Sequence, residues 1–243
     1  MALRKTVVID QLSESAFRHL DSAIVCVDVF LFSTNAVTAV ASGRRTIPVA
    51  WAEGARRLGA ALGVSILAAE PDPSAPTQFD TRWGPARLER REDVTRPLVL
   101  LSPTAQLLDN ASGCPETYVA CLRNLTATVE ALASRHRRVA IVAAGQDGET
   151  RCEDQLVSAW LAQALVDRGF EPEGRLTHRE LARWARAELA VTRLGKGAGL
   201  LRQLGRVEDL EFVLDRVDDI DLACTVVGGE IVPLMGMRQA PAI

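Results

Sequence analysis

A chain of 243 residues carrying a net charge of −3 lacks the basic footprint of a nucleic-acid binder, and it is long enough to bury a sizeable core. Of its residues 48% are apolar but only 5% aromatic, so alanine, valine and leucine must fill that core. No apolar run reaches the ~18 residues of a membrane span, and Met1 to Lys5 leads only into the short strand-like Val7-Val8-Ile9. Neither a membrane partner nor secretion is expected. Five cysteines (Cys26, Cys114, Cys121, Cys152, Cys224) form an odd set without a C-x-x-C pair, which predicts reduced thiols in a cytoplasmic protein. Three scattered histidines have no ligand spacing, so any metal would be a hard cation held by carboxylates.

Taken in chain order, short β-branched runs alternate with helical stretches. Residues 23–30 are too apolar to alternate, as in a strand covered on both faces. Ser33-Thr34-Asn35 then offers caps for a helix through Val40 that stops at Gly43. Residues 45–50 read as strand, 53–62 as a helix closed by Gly63, and 65–69 as strand again. Residues 71–96 hold four prolines and many charges without a period, which predicts a long, mobile loop bordering a functional crevice. Strands follow at 97–101 and 117–122, then a helix at 124–134. The run RVAIVAA at 138–144 is the clearest buried strand, and a long helix follows over 153–167. Further helices are expected from 177 to about 190 and over 199–204. A final hairpin over 223–234 turns at Gly228-Gly229. The alternation predicts one α/β domain spanning the chain, with a mixed sheet layered between helices.

In open α/β sheets, ligands gather where strands give way to helices. Four such junctions carry polar atoms: Asp28 with Ser33, Thr34 and Asn35; Glu70; Ser102 with Thr104; and Gly145-Gln146-Asp147 followed by Glu153 and Asp154. Carboxylates with hydroxyl and amide neighbours are the donors of a Mg²⁺ site. Asp28 stands out, because a carboxylate inside an apolar strand is costly unless it is paired or coordinating.

The ordered motifs VDV-x-x-x-ST, A-x-GRRTIPV, AE, FD-x-x-x-GP, AAG-x-x-G and ED resemble the 2-phosphosulfolactate phosphatase (ComB-like) family. That family's pattern runs roughly IDVLRATTT, NGA-x-x-IPV, GE, GFDLGNSP, TTNGT, CAG-x-x-G and EDL. The likeness spans residues 24–165 and resumes at 199–234, where LGRVEDLEFVLD resembles LGF-x-x-DV-x-F. The resemblance implies a three-layer α/β/α fold with a mixed sheet. It also implies Mg²⁺-dependent hydrolysis of a phosphate ester on a small anionic hydroxy acid, as in coenzyme M biosynthesis. On this reading Asp28 is catalytic, and Asp28, Glu70, Glu153 and Asp154 hold the metal. Ser33, Thr34, Asn35, Ser102, Thr104 and Asn124 are then the residues expected to contact a small anionic organic substrate.

Several anion-contacting positions depart from the pattern. The arginine of RATTT is Leu31 here, TTNGT becomes Ser102-Pro103-Thr104-Ala105-Gln106, the asparagine of GNSP is Trp83, and the cysteine before Ala-Gly is Ala143. Leucine cannot supply a guanidinium fork. Two alternatives therefore stand beside a phosphatase. One is a family member turned to a larger organic substrate in a specialised pathway, with Leu31, Phe32 and Trp83 giving an apolar crevice. The other is a non-catalytic binding protein. The sequence leaves a homo-oligomer open.

Overall fold

The structure, a computed structural model, describes residues 4–63, 65–69, 79–82, 84–145 and 148–234. Its strands are β1 (Thr6–Gln11), β2 (Ala23–Val27), β3 (Thr46–Val49), β4 (Ile66–Ala69), β5 (Thr81–Arg82), β6 (Leu98–Leu101), β7 (Thr117–Ala120), β8 (Arg138–Ala143), β9 (Glu171–Pro172), β10 (Cys224–Val227) and β11 (Glu230–Pro233). Its α-helices are α1 (Phe32–Ala41), α2 (Ala52–Leu62), α3 (Pro85–Glu89), α4 (Ala105–Asn110), α5 (Leu125–Arg135), α6 (Cys152–Val166), α7 (Arg175–Trp184), α8 (Lys196–Gln203) and α9 (Val207–Leu214). The fold is the expected α/β type with a mixed sheet, in the order β5-β4-β6-β3-β11-β10-β7-β2-β8-β1-β9.

Both faces of the central strands are covered, which is why their sequences are apolar without alternation. In β2, Ala23, Val25 and Val27 face a core shared with β1, β8, α5 and α6. Ile24 and Cys26 face the opposite core, built with α1, α4, β4 and β6. Helix α1 sits so deep that every residue from Phe32 to Val40 is buried.

The hairpin β10–β11 splices two parallel blocks. It pairs antiparallel with β3 on one side and with β7 on the other, and its own two strands are antiparallel. Three reversals in a row leave the block β5-β4-β6-β3 running opposite to the block β7-β2-β8-β1-β9. Five steps separate β6 from β2, so a sheet twist of roughly 20–25° per step turns one against the other by about 100–125°. The residues that follow the carboxyl ends of β2 and β6, Asp28 and Thr104, meet across this sheet.

Several sequence expectations need correction. The strand expected over 23–30 ends at Val27, because the chain turns at Asp28 to enter α1. Ser33, Thr34 and Asn35 do not cap that helix but lie within its first turn, and no side-chain cap is present. The described part of 71–96 is not featureless, since it carries β5 and α3, and α3 packs on α1 and α9. Residues 70–78 and Trp83 lie outside the described residues. Among the described residues, no helix is long and apolar enough to cross a membrane, and the five cysteines are free thiols.

Candidate functional site

Three junctions converge on one crevice lined by Asp28, Thr104, Arg151, Glu153 and Asp154, with apolar walls from Phe30, Leu31 and Leu200 among others. The first junction is a hydrogen-bonded turn after β2. The Asp28 N–H donates to Ser33 Oγ at 3.0 Å, and the Ser33 N–H donates to the Asp28 carbonyl at 2.9 Å. The Phe32 N–H donates to Asp28 Oδ1 at 3.3 Å. After β6, the Thr104 N–H donates to Ser102 Oγ at 3.0 Å, shaping a turn that aims Thr104 across the sheet. Thr104 Oγ1 then donates to Asp28 Oδ2 at 2.5 Å, so both carboxylate oxygens of Asp28 are restrained. This bond joins the two parallel blocks at the site.

The third junction follows β8. Gly145 adopts φ +64°, and a Cβ there would stand 2.6 Å from the Glu149 carbonyl, so glycine is required. Helix α6 opens with Glu153 and Asp154 in its first turn, where their charge suits the positive end of the helix dipole. Both are almost fully buried. The Val29 N–H donates to Asp154 Oδ1 at 2.8 Å, tying the helix to the β2 turn. The start of α8 closes over Glu153 so tightly that a Cβ at Gly197 would lie 1.9 Å from Glu153 Oε1.

Burial pushes the carboxyls of Asp28, Glu153 and Asp154 above their ordinary values. The charge of Asp28 adds to the rise at Glu153 and Asp154, and that of Glu153 to the rise at Asp154. Arg151 acts in the opposite direction on all three. Burial and the neighbouring Glu153 push the Cys152 thiol up to about 12, so it stays protonated and is no thiolate nucleophile. It donates to Glu153 Oε2 at 3.3 Å.

The donor set is all carboxylate oxygen, the chemistry of a hard cation. Among the described residues, however, no group of three His, Cys, Asp or Glu side chains is spaced to hold an ion. Mg²⁺ keeps several of its waters and needs only one or two carboxylates from the protein, so fewer than three direct ligands still fit it. Glu70, the fourth expected ligand, lies outside the described residues, as do Gln146 and Asp147.

The remaining sequence candidates are placed elsewhere or turned inward. The Ser33 hydroxyl donates to the Cys26 carbonyl at 3.5 Å, besides accepting from Asp28, and Thr34 Oγ1 donates to the Val29 carbonyl at 2.5 Å. Ser102 is fully buried beneath its turn. Asn35 donates to the Leu31 carbonyl at 2.7 Å and lines a separate cavity with Arg87 and Arg91. Asn124 is fully buried and joins the Cys121 N–H to the carbonyls of Val119 and Leu222, away from the crevice. Phe32 packs in the α1-side core and does not line the crevice.

Arg151 and Gly197 belong to the site but to none of the sequence motifs above. A basic residue immediately before an acidic first turn is disfavoured by the helix dipole, and that exception was a usable signal for Arg151. Gly197 carried none, since its need for glycine comes from a contact with a helix over forty residues earlier.

A family model described as 2-phosphosulpholactate phosphatase matches residues 8–229, which take in every junction of the crevice. No curated protein matches the chain.

Proposed function

Because the chain belongs to the 2-phosphosulpholactate phosphatase family, we propose that it is a magnesium-dependent phosphatase acting on a small phosphorylated acid. The observation that supports this most is the gathering of Asp28, Glu153 and Asp154, buried and mutually repelling, around one crevice. Repelling carboxylates are retained at such a cost where a cation or a proton makes use of them.

Asp28, Glu70, Glu153 and Asp154 are the residues that would hold the ion, one or two of them directly and the others through its waters. Bound there, Mg²⁺ would neutralise phosphoryl oxygens and polarise the ester. The protein's own groups do the positioning. Thr104 and the Phe32 N–H hold Asp28 on both oxygens, which suits a ligand fixed in place more than a nucleophile that travels to phosphorus. The Val29 N–H holds Asp154, and the Gly197 contact confines Glu153. Phe30, Leu31, Pro103 and Leu200 supply apolar walls that limit water around the reacting group. The cavity they leave is about 40 Å³, the room of roughly three waters.

The test is phosphate release from a panel of small phosphorylated hydroxy acids, with Mg²⁺ and with chelator. The expected result is Mg²⁺-dependent release that Asp28→Asn abolishes while leaving the fold intact. Mg²⁺ binding without release from any phosphate ester would instead identify a binding protein. If Asp28→Asn lowers the melting temperature and leaves Mg²⁺ stabilisation unchanged, Asp28 is a structural acceptor.

A further inference from the structure

The crevice has to admit an anion past three carboxylates, and its described lining contains one basic side chain, Arg151. We propose that Arg151 is the residue that grips the phosphoryl group of the substrate, through its guanidinium fork. This deepens the phosphatase reading and rests on it.

Arg151 immediately precedes α6, so its backbone is fixed by the same helix that presents Glu153 and Asp154. Its side chain is only 16% exposed, and the residue lines the crevice. Its charge reaches Asp28, Glu153 and Asp154 alike, placing it within electrostatic range of the whole carboxylate cluster. Its ion pair with Glu149 is long, 3.7 Å, and Glu149 is itself claimed by Lys196 at 2.6 Å. Glu149 is 55% exposed, so that contact is screened by solvent and contributes little.

A planar fork matches two phosphoryl oxygens at once, and lysine offers only a point charge. This distinguishes a gripping role from mere counter-charge for the acids. Leu31 lines the same crevice from the opposite junction, so an arginine installed there reaches the same space.

The experiment measures the affinity of the full chain for inorganic phosphate by titration calorimetry at saturating Mg²⁺. Turnover of 2-phospholactate and the Mg²⁺ thermal shift are followed in parallel. Arg151→Ala is expected to weaken phosphate binding ten- to a hundredfold and raise KM more than it lowers kcat, with the Mg²⁺ shift retained. Arg151→Lys should recover only part of the affinity, and adding Leu31→Arg to Arg151→Ala should restore most of it. Arg138→Ala, at an exposed pair with Asp21 at the far end of β8, should change nothing. Wild-type affinity in Arg151→Ala, or in Arg151→Lys, overturns the grip. Should Arg151→Ala not fold, the lysine variant and the double variant decide the matter. Phosphate binding that depends on Arg151 without turnover of any ester supports the grip and sinks the phosphatase reading. Turnover that ignores Arg151 does the reverse.

Discussion

At the scale of the residue, the site is a problem in restraining like charges. Asp28 is the pivot, and Thr104 is the group that fixes it from across the sheet. Thr104→Val keeps the shape and removes the donor, leaving one carboxylate oxygen unrestrained. By analogy with partners that orient metal ligands, a loss of about 10- to 100-fold in turnover or Mg²⁺ affinity is expected, with little change in melting temperature. Unchanged kinetics would show that Thr104 is a bystander. Asp154 makes the pH argument. Its ordinary value is 3.8, and burial with Asp28 and Glu153 nearby raises it well above that in the folded chain. Between those two values the folded state holds a proton the unfolded state has lost, so stability falls as pH rises through that window. Asp154→Asn can still accept from the Val29 N–H but carries no charge. In chelator at neutral pH it should therefore be more stable than the natural chain, and the gain should vanish as pH falls toward 4. Melts across pH check this; a destabilised variant at neutral pH would refute it. Asp28, Glu153 and Asp154 were legible in the sequence because an acid in an apolar strand and an acidic helix start are visible locally. Asn124 lies away from the crevice, and no local pattern shows this, because an asparagine that seals three backbone groups looks the same in sequence as one that meets a ligand.

At the scale of the element, α8 has two glycines with opposite roles. A Cβ at Gly197 would drive into Glu153 Oε1 and also stand 2.9 Å from Phe30, whereas one at Gly199 meets nothing within 4 Å. Gly199→Ala should stabilise the protein by about 0.5–1 kcal/mol, the ordinary gain of alanine over glycine within a helix. Gly197→Ala should push α8 off the crevice, lowering the melting temperature and disturbing activity together. Equal and small effects from both substitutions would mean that α8 does not pack as described. Long elements with a strong pattern, such as β8 and α6, could be read to within a residue or two. The short ones could not. Helix α3 hides among prolines and charges, and only five residues long it has no period to detect. Helix α4 follows the Ser102-Pro103-Thr104 turn and runs only six residues, too few to show a period. Each is held by what it packs on, and that information is not local.

At the scale of the whole molecule, the feature that sequence could not foretell is that the two parallel blocks run in opposite senses and are joined by the last hairpin. Strand pairing between residues 46 and 231 leaves no local trace. Helix α1 occupies the space this arrangement encloses, packing on β7, β3 and β11, and its Phe32 is fully buried. Arg123, also buried, bonds to Thr38 of α1, Glu89 of α3 and Asp219 ahead of β10, so the same helix is clasped from several directions. The central strands belong to both cores at once, through alternate side chains. Damage on the α1 side should therefore reach β8 directly through Ala140 and Val142 and, through β8, reach β1, which meets α6 and α7 on the opposite face. Phe32→Ala is expected to cost about 3–5 kcal/mol, the usual range for emptying a buried aromatic site. If the chain unfolds as a single unit, amide exchange in β1 and β8 should quicken by the same free energy that denaturant unfolding reports. Exchange in β1 and β8 that ignores the substitution, or a denaturation curve with two steps, would divide the chain into separate folding units along the hairpin.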